Sequence, residues 1–129
     1  KADQGNGGGV YVNSGTFEMN YKASVSSNTA TNTKKENTTY GGGVYVNQSG
    51  TFTMNGEATS VSNNTAKNGG GVYVKTGGKF NMNDKASIKS NAGNGVFVNG
   101  GTFTVAGAPT VTGNTMNRAD SNVCLAGSD

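Results

Sequence analysis

Residues Gly41 to Ala66, GGGVYVNQSGTFTMNGEATSVSNNTA, are written about four times along the chain with drift, and no other feature limits the fold as strongly. Each copy has three short apolar pulses flanked by Gly, Asn, Ser or Thr, which predicts strands separated by turns. Val10-Tyr11-Val12, Val44-Tyr45-Val46, Val72-Tyr73-Val74 and Val96-Phe97-Val98 form the first set. Phe17-Glu18-Met19, Phe52-Thr53-Met54, Phe80-Asn81-Met82 and Phe103-Thr104-Val105 form the second, and Val25, Val61, Ile88 and Val111 centre the third. An Asn follows each member of the third set, at Asn28, Asn64, Asn91 and Asn114.

Successive first pulses lie 34, 28 and 24 residues apart, so the loops vary and the strands do not. A period in this range points to a solenoid, propeller or array. No run has the apolar i, i+3, i+4 spacing of a helix, and a propeller blade needs four strands in about 40 residues. The expected fold is therefore all-β, a right-handed parallel β-helix with three short strands per coil. Its coils are placed at residues 7–40, 41–68, 69–92 and 93–119, and residues 120–129 begin a fifth within a single domain, 1–129.

Stacked coils put equivalent side chains in columns about 4.8 Å apart. Phe17, Phe52, Phe80 and Phe103 are the expected core ladder, with Met19, Met54 and Met82 filling the gap beside them. Asn28, Asn64, Asn91 and Asn114 suit an amide ladder at a turn, each side chain donating and accepting along the stack. By period-2 alternation Val10, Val12, Phe17, Met19 and Val25 point inward, and Tyr11, Thr16, Glu18 and Asn20 outward. Tyr11, Tyr45, Tyr73 and Phe97 then make either an outer aromatic strip for ligands or lateral contacts, or a stack packed beneath a loop.

Val, Ile, Leu and Phe number only 20 of 129 residues, a share that by itself reads as disorder. The repeat overrules this, because a narrow core column needs few large side chains per coil. The net charge of +3 comes from nine Lys and one Arg scattered along the chain, not the basic stripe of a nucleic-acid binder. No apolar run approaches the ~18 residues of a membrane-spanning helix. The chain begins at Lys1 without a leader or initiator Met, and reads as cut or processed from something longer.

The absence of His excludes triads and His-ligated metals. Cys124 is single, so no internal disulfide forms, and its expected place is in the Tyr column. Gly7-Gly8-Gly9, Gly41-Gly42-Gly43 and Gly69-Gly70-Gly71 precede strands, not helices, and are turns instead of phosphate loops. Asp3, Glu18, Glu36, Glu57, Asp84, Asp120 and Asp129 never fall in adjacent equivalent positions, whereas acid-base pairs and Ca²⁺ sites need clustered carboxylates. No catalytic residue, metal or cofactor is therefore expected. The row Thr16, Thr51, Thr102 is broken by Lys79, against an ice-binding face. Asn37, Asn47 and Asn63 head candidate glycosylation sequons. The longest loop, Thr31 to Tyr40, is the most charged, and such loops commonly carry specificity.

Gly8-Gly9-Val10, Gly42-Gly43-Val44 and Gly70-Gly71-Val72, followed by Phe17-Glu18-Met19-Asn20, Phe52-Thr53-Met54-Asn55 and Phe80-Asn81-Met82-Asn83, resemble the GG-aliphatic and FxxN motifs of bacterial polymorphic outer-membrane and adhesin-like repeat proteins. The resemblance covers Gly7 to about Thr115; the fourth copy departs with Asn94-Gly95-Val96 and with Ala106 for the motif Asn. It implies a pectin-lyase-like β-helix exported to the cell surface for adhesion or as a stalk, with glycans or host-surface molecules as partners. Ser121 to Leu125 repeats the first-strand pattern with Val123 and Leu125 inward. Neither Lys1 to Asn6 nor Ala126 to Asp129 is long or apolar enough to cover a coil face. Both faces are thus expected to be covered by further repeats or by identical subunits stacked end to end.

Overall fold

The structure, a computed structural model that describes residues 5–33 and 37–126, is all-β, with no helix among the described residues. The strands in chain order are β1 (Val10–Asn20), β2 (Ser24–Ser26), β3 (Val44–Asn55), β4 (Ser60–Ser62), β5 (Val72–Lys75), β6 (Lys79–Asp84), β7 (Ser87–Lys89), β8 (Val96–Asn99), β9 (Thr102–Gly107), β10 (Thr110–Thr112), β11 (Thr115–Met116), β12 (Ala119–Asp120) and β13 (Val123–Ala126). All their pairings are parallel except that of β11 with β12.

A seven-stranded sheet runs β13-β8-β5-β3-β6-β9, with β1 on the other edge of β3, and curls around the core. Pairing follows the sequence repeat: Val44 sits opposite Val10 and Val72, and Phe52 opposite Phe17 and Phe80. A second sheet, β10-β7-β4-β2, aligns Val25, Val61, Ile88 and Val111. Parallel bridges connect Thr29 to Thr65, Thr65 to Ala92 and Ala92 to Thr115. The core between these sheets holds Val44, Val46, Phe52, Met54, Val61, Val72, Val74, Phe80, Met82, Ile88 and Val96, all fully buried.

Two expectations about elements are corrected. The first and second pulses of repeats 1 and 2 are not separate strands but halves of β1 and β3, because Asn13-Ser14 and Asn47-Gln48 stay extended and absorb the offset as an irregularity after Val12. In repeat 3 the same junction is Thr76-Gly77-Gly78, where Gly77 at φ 81° makes a true turn and Gly78 N–H donates to the Lys75 carbonyl. The fourth repeat does not close as a plain coil at 119, since Thr115–Asp120 folds into an antiparallel hairpin. Asn117 and Arg118 both have positive φ, as a two-residue hairpin turn demands. Repeat 2 has one residue more between Met54 and Val61 than repeats 1 and 3 have between Met19 and Val25 or Met82 and Ile88, and a turn in which Thr59 N–H donates to the Gly56 carbonyl takes it up.

Glycine in the Gly9, Gly43, Gly71, Gly95 column is a packing requirement. A Cβ on Gly43 would lie 2.7 Å from the Gly71 carbonyl oxygen and 2.9 Å from Asn64 Nδ2, closer than side chains can approach. The tight corner is thus tied to the Asn ladder beside it.

Candidate functional site

The outer aromatic column is stacked but not open. Ring centroids are 5.0 Å apart for Tyr11 and Tyr45, 5.1 Å for Tyr45 and Tyr73, and 5.5 Å for Tyr73 and Phe97, with planes within 14°. Cys124 stands opposite Phe97 and extends the column by one strand. Tyr11 is 46% exposed, whereas Tyr45 and Tyr73 are at 5% and 4%. The Tyr40 ring, tilted 59° and 4.8 Å from Tyr73, packs against the stack, and Asn99 Nδ2 donates to the Tyr73 hydroxyl at 2.8 Å. Alternation was right for Tyr11, but Tyr40, ahead of β3, packs over the middle of the column.

That burial has an electrostatic consequence. Desolvation, followed by the neighbouring hydroxyls of Tyr73, Tyr11 and Tyr40, pushes the Tyr45 pKa up to about 12. Burial also raises that of Tyr73, against the lowering effect of the Asn99 hydrogen bond. Tyr45 and Tyr73 are therefore neutral phenols at any physiological pH, and the most exposed ring of the column is that of Tyr11.

The inner ladder is continuous. Phe17 and Phe52 stack at 5.4 Å, Phe52 and Phe80 at 4.9 Å, and Phe80 and Phe103 at 4.9 Å. The amide ladder runs beside the second sheet: Asn28 Nδ2 donates to Asn64 Oδ1 at 3.1 Å, Asn64 to Asn91 at 3.1 Å, and Asn91 to Asn114 at 2.8 Å. Each of those oxygens also accepts the backbone N–H of the preceding Asn. Asn64, Asn91 and Asn114 are buried, and their second amide hydrogens reach the Val25, Val61 and Ile88 carbonyls.

Sequence reasoning missed the last member. Asn114 N–H and Nδ2 both donate to Asn122 Oδ1, at 3.2 and 3.1 Å. Asn122 occupies the position held by Gly9, Gly43, Gly71 and Gly95 in earlier repeats, and its side chain takes the place of the next ladder residue. The available signal was an Asn directly before Val123, where every other copy has Gly.

Glu18 accepts from Asn55 Nδ2 at 2.8 Å, and Lys85 lies 3.7 Å from Glu57 with both side chains exposed. Among the described residues no three acidic or Cys side chains converge as metal ligands. Two shallow recesses of about 460 and 400 Å³ flank the corner at Thr65-Ala66-Lys67, one bounded by Arg118 of the hairpin and the other by Asn32 and Asn37. Of the sequon residues, Asn37 and Asn63 are exposed, while Asn47 donates its amide to Asn13 Oδ1 at 2.8 Å. Lys34 to Glu36 of the long loop, Asp3, and Asp129 lie outside the described residues.

The most open apolar surface is at the end formed by β9, β10 and β13. Val105, Val123 and Leu125 stand in line with buried residues of the previous repeat, yet are 55%, 46% and 72% exposed. β9, β10 and β13 are each paired along one edge only. No protein-family model, curated protein or solved structure matches the chain.

Proposed function

We propose that the chain is a right-handed parallel β-helix of about four coils with the start of a fifth, serving as a non-enzymatic structural or adhesive module of an extracellular or cell-surface protein. In this reading it is continued end to end, by further repeats or by identical subunits, into a stalk or filament. The observation that carries the proposal is the register of like on like, Val on Val, Phe on Phe and Asn on Asn, kept from repeat to repeat across the irregularity after Val12, with exposed inward-column residues at the last strands. Right-handedness follows from the general preference of parallel crossovers. Export and surface location rest on the resemblance of the GG-aliphatic and FxxN motifs to adhesin-like repeats.

A glycan-binding role for the Tyr column loses support from the burial of Tyr45 and Tyr73. Carbohydrate cleavage finds little support in the sequence, where no two acids fall in adjacent equivalent positions of the repeat, whereas retaining and inverting mechanisms both need two carboxylates within about 5–10 Å flanking the bond. The test is to incubate the purified chain with pectin-like and other acidic polysaccharides, and to immobilise it and measure retention of cells or surface glycans. Retention without release of unsaturated or reducing ends is expected. Turnover that disappears in Glu18→Gln or Asp84→Asn would overturn the reading.

A further inference from the structure

The corner that follows the amide ladder differs in length from repeat to repeat. Between the ladder Asn and the next first strand stand only Ala92 to Gly95 in repeat 3, against Thr65 to Gly71 in repeat 2 and Thr115 to Asn122 in repeat 4. The short corner leaves a notch of about 460 Å³ between two longer ones. Its floor is Ala92-Gly93, and its walls are Ala66-Lys67 on one side and Met116 to Arg118 of the β11–β12 hairpin on the other. Floor and walls are held in register, because Ala66 N–H donates to the Ala92 carbonyl at 3.0 Å and Gly93 N–H to the Thr115 carbonyl at 2.7 Å. The hairpin is also pinned from within: the buried Asn94 directs its Nδ2 at Met116 Sδ and Ser121 Oγ, at 3.6 and 2.7 Å. The notch is thus preformed by three stacked repeats.

Each wall supplies one exposed cation, Lys67 and Arg118, and no acidic side chain lines the notch. Neither cation forms an ion pair with an acid among the described residues. Arg118 is held at φ 68° and Asn117 at φ 52°. A two-residue hairpin turn is best served by Asn-Gly, so arginine at the second position costs stability and what it brings is its side chain. Non-glycine residues kept in this region of backbone space concentrate at ligand clamps. We infer that the notch binds a carboxylate-bearing sugar. Its carboxylate lies between Lys67 and Arg118, whose planar fork matches two carboxylate oxygens, and the C–H face of its ring rests on Ala66, Ala92 and Met116. An apolar floor with a few convergent polar groups, in a recess of this size, is the usual make-up of a small-ligand site. The notch gives the adhesive form of the function proposed above a ligand, and it does not depend on end-to-end continuation.

The experiment titrates the whole chain with glucuronate, glucose and acetate and follows amide chemical shifts. Glucuronate should give saturable shifts at Ala66-Lys67, Ala92-Gly93 and Met116 to Arg118, with a Kd on the order of 1 mM. Glucose and acetate, each carrying half of the ligand, should bind at least about tenfold more weakly. Lys67→Gln and Arg118→Asn should each weaken glucuronate about tenfold, as expected for one hydrogen-bonded charge. Because Asn tolerates positive φ, Arg118→Asn should keep or raise the melting temperature, which separates lost binding from lost folding. A lower melting temperature in Arg118→Asn would count against an arginine held there for a ligand. Acetate binding as tightly as glucuronate would reveal a bare anion contact and overturn the sugar assignment. Unchanged affinity in both variants, or an absence of shifts in the notch, would overturn the site itself. If both variants still retain cells or surface glycans as the parent chain does, the adhesive reading stands and this site is not its basis.

Discussion

Repeats 3 and 4 have nearly the same apolar pattern and different burial. Phe80, Met82 and Ile88 are fully enclosed; Phe103 and Val111 are half-covered and Val105 is mostly bare. The strands carrying them pair with one another in register, so local conformation does not explain the difference. What differs is that repeat 3 has a neighbour on both sides. Burial of an inward side chain is shared between its own strand and the strands above and below it. An interior repeat is therefore worth more to stability than its own sequence indicates.

The largest test of that contrast is truncation of the same ring at two levels. Phe52→Ala, which removes a fully buried ring stacked on both faces, should cost about 3–5 kcal/mol. Phe103→Ala, stacked on one face only, should cost about 1–2 kcal/mol. Denaturant titrations giving equal losses would break the comparison.

Asn64→Ala should follow, at about 2–3 kcal/mol, because it strands Asn28 N–H and Nδ2 and frees Asn91 Oδ1 from one donor. Asn28→Ala, at the partly exposed start of the ladder, should cost less than half as much in the same titration. Equal effects would mean that the amides act singly and not as a ladder.

Alkaline pH sharpens the contrast for the outer column. The unfolded chain releases tyrosyl protons near pH 10, whereas folded Tyr45 holds its proton to about 12. Its contribution to stability is thus complete below pH 10 and is lost as pH rises from there towards 12. The melting temperature should fall over that window, and the fall should be smaller in Tyr45→Phe; identical profiles would refute the assignment. The smallest effect belongs to Lys85→Ala, whose exposed partner is 3.7 Å away. It should change stability by less than about 0.5 kcal/mol, and a larger loss would show surface charge pairs contributing where the cores do not.

Much of the strand pairing was legible in the sequence because each column repeats its residue type, and parallel pairing of equivalent residues is the arrangement that satisfies all columns together. The readable signals were the apolar pulses and the Asn after the third. The fusion of the first two pulses into β1 and β3 was not readable, since Asn-Ser-Gly and Asn-Gln-Ser-Gly are as compatible with turns as with extended chain. The packing of Tyr40 on the column was hidden for a different reason: Tyr40 pairs in register with Asn6 and Asn68, so no other repeat has a ring at that position from which its contact with Tyr73 could be read. The Thr115–Asp120 hairpin was missed because Asn117-Arg118 lacks the Gly that usually signals such a turn.

The amide ladder has one more consequence. Every side chain from Asn28 to Asn114 donates through Nδ2 to the Oδ1 of the next amide in the direction of the C-terminal end. None donates back to the amide of the preceding repeat; the second hydrogens of Asn64, Asn91 and Asn114 go to backbone carbonyls instead. The row is a vector, in which each bond polarises the next in the same sense. It therefore has a sending end and a receiving end, as a current does. Two such molecules brought together by a twofold axis would meet sender to sender or receiver to receiver and could not join their rows. Any row longer than this one must have been laid down in a single direction, like text.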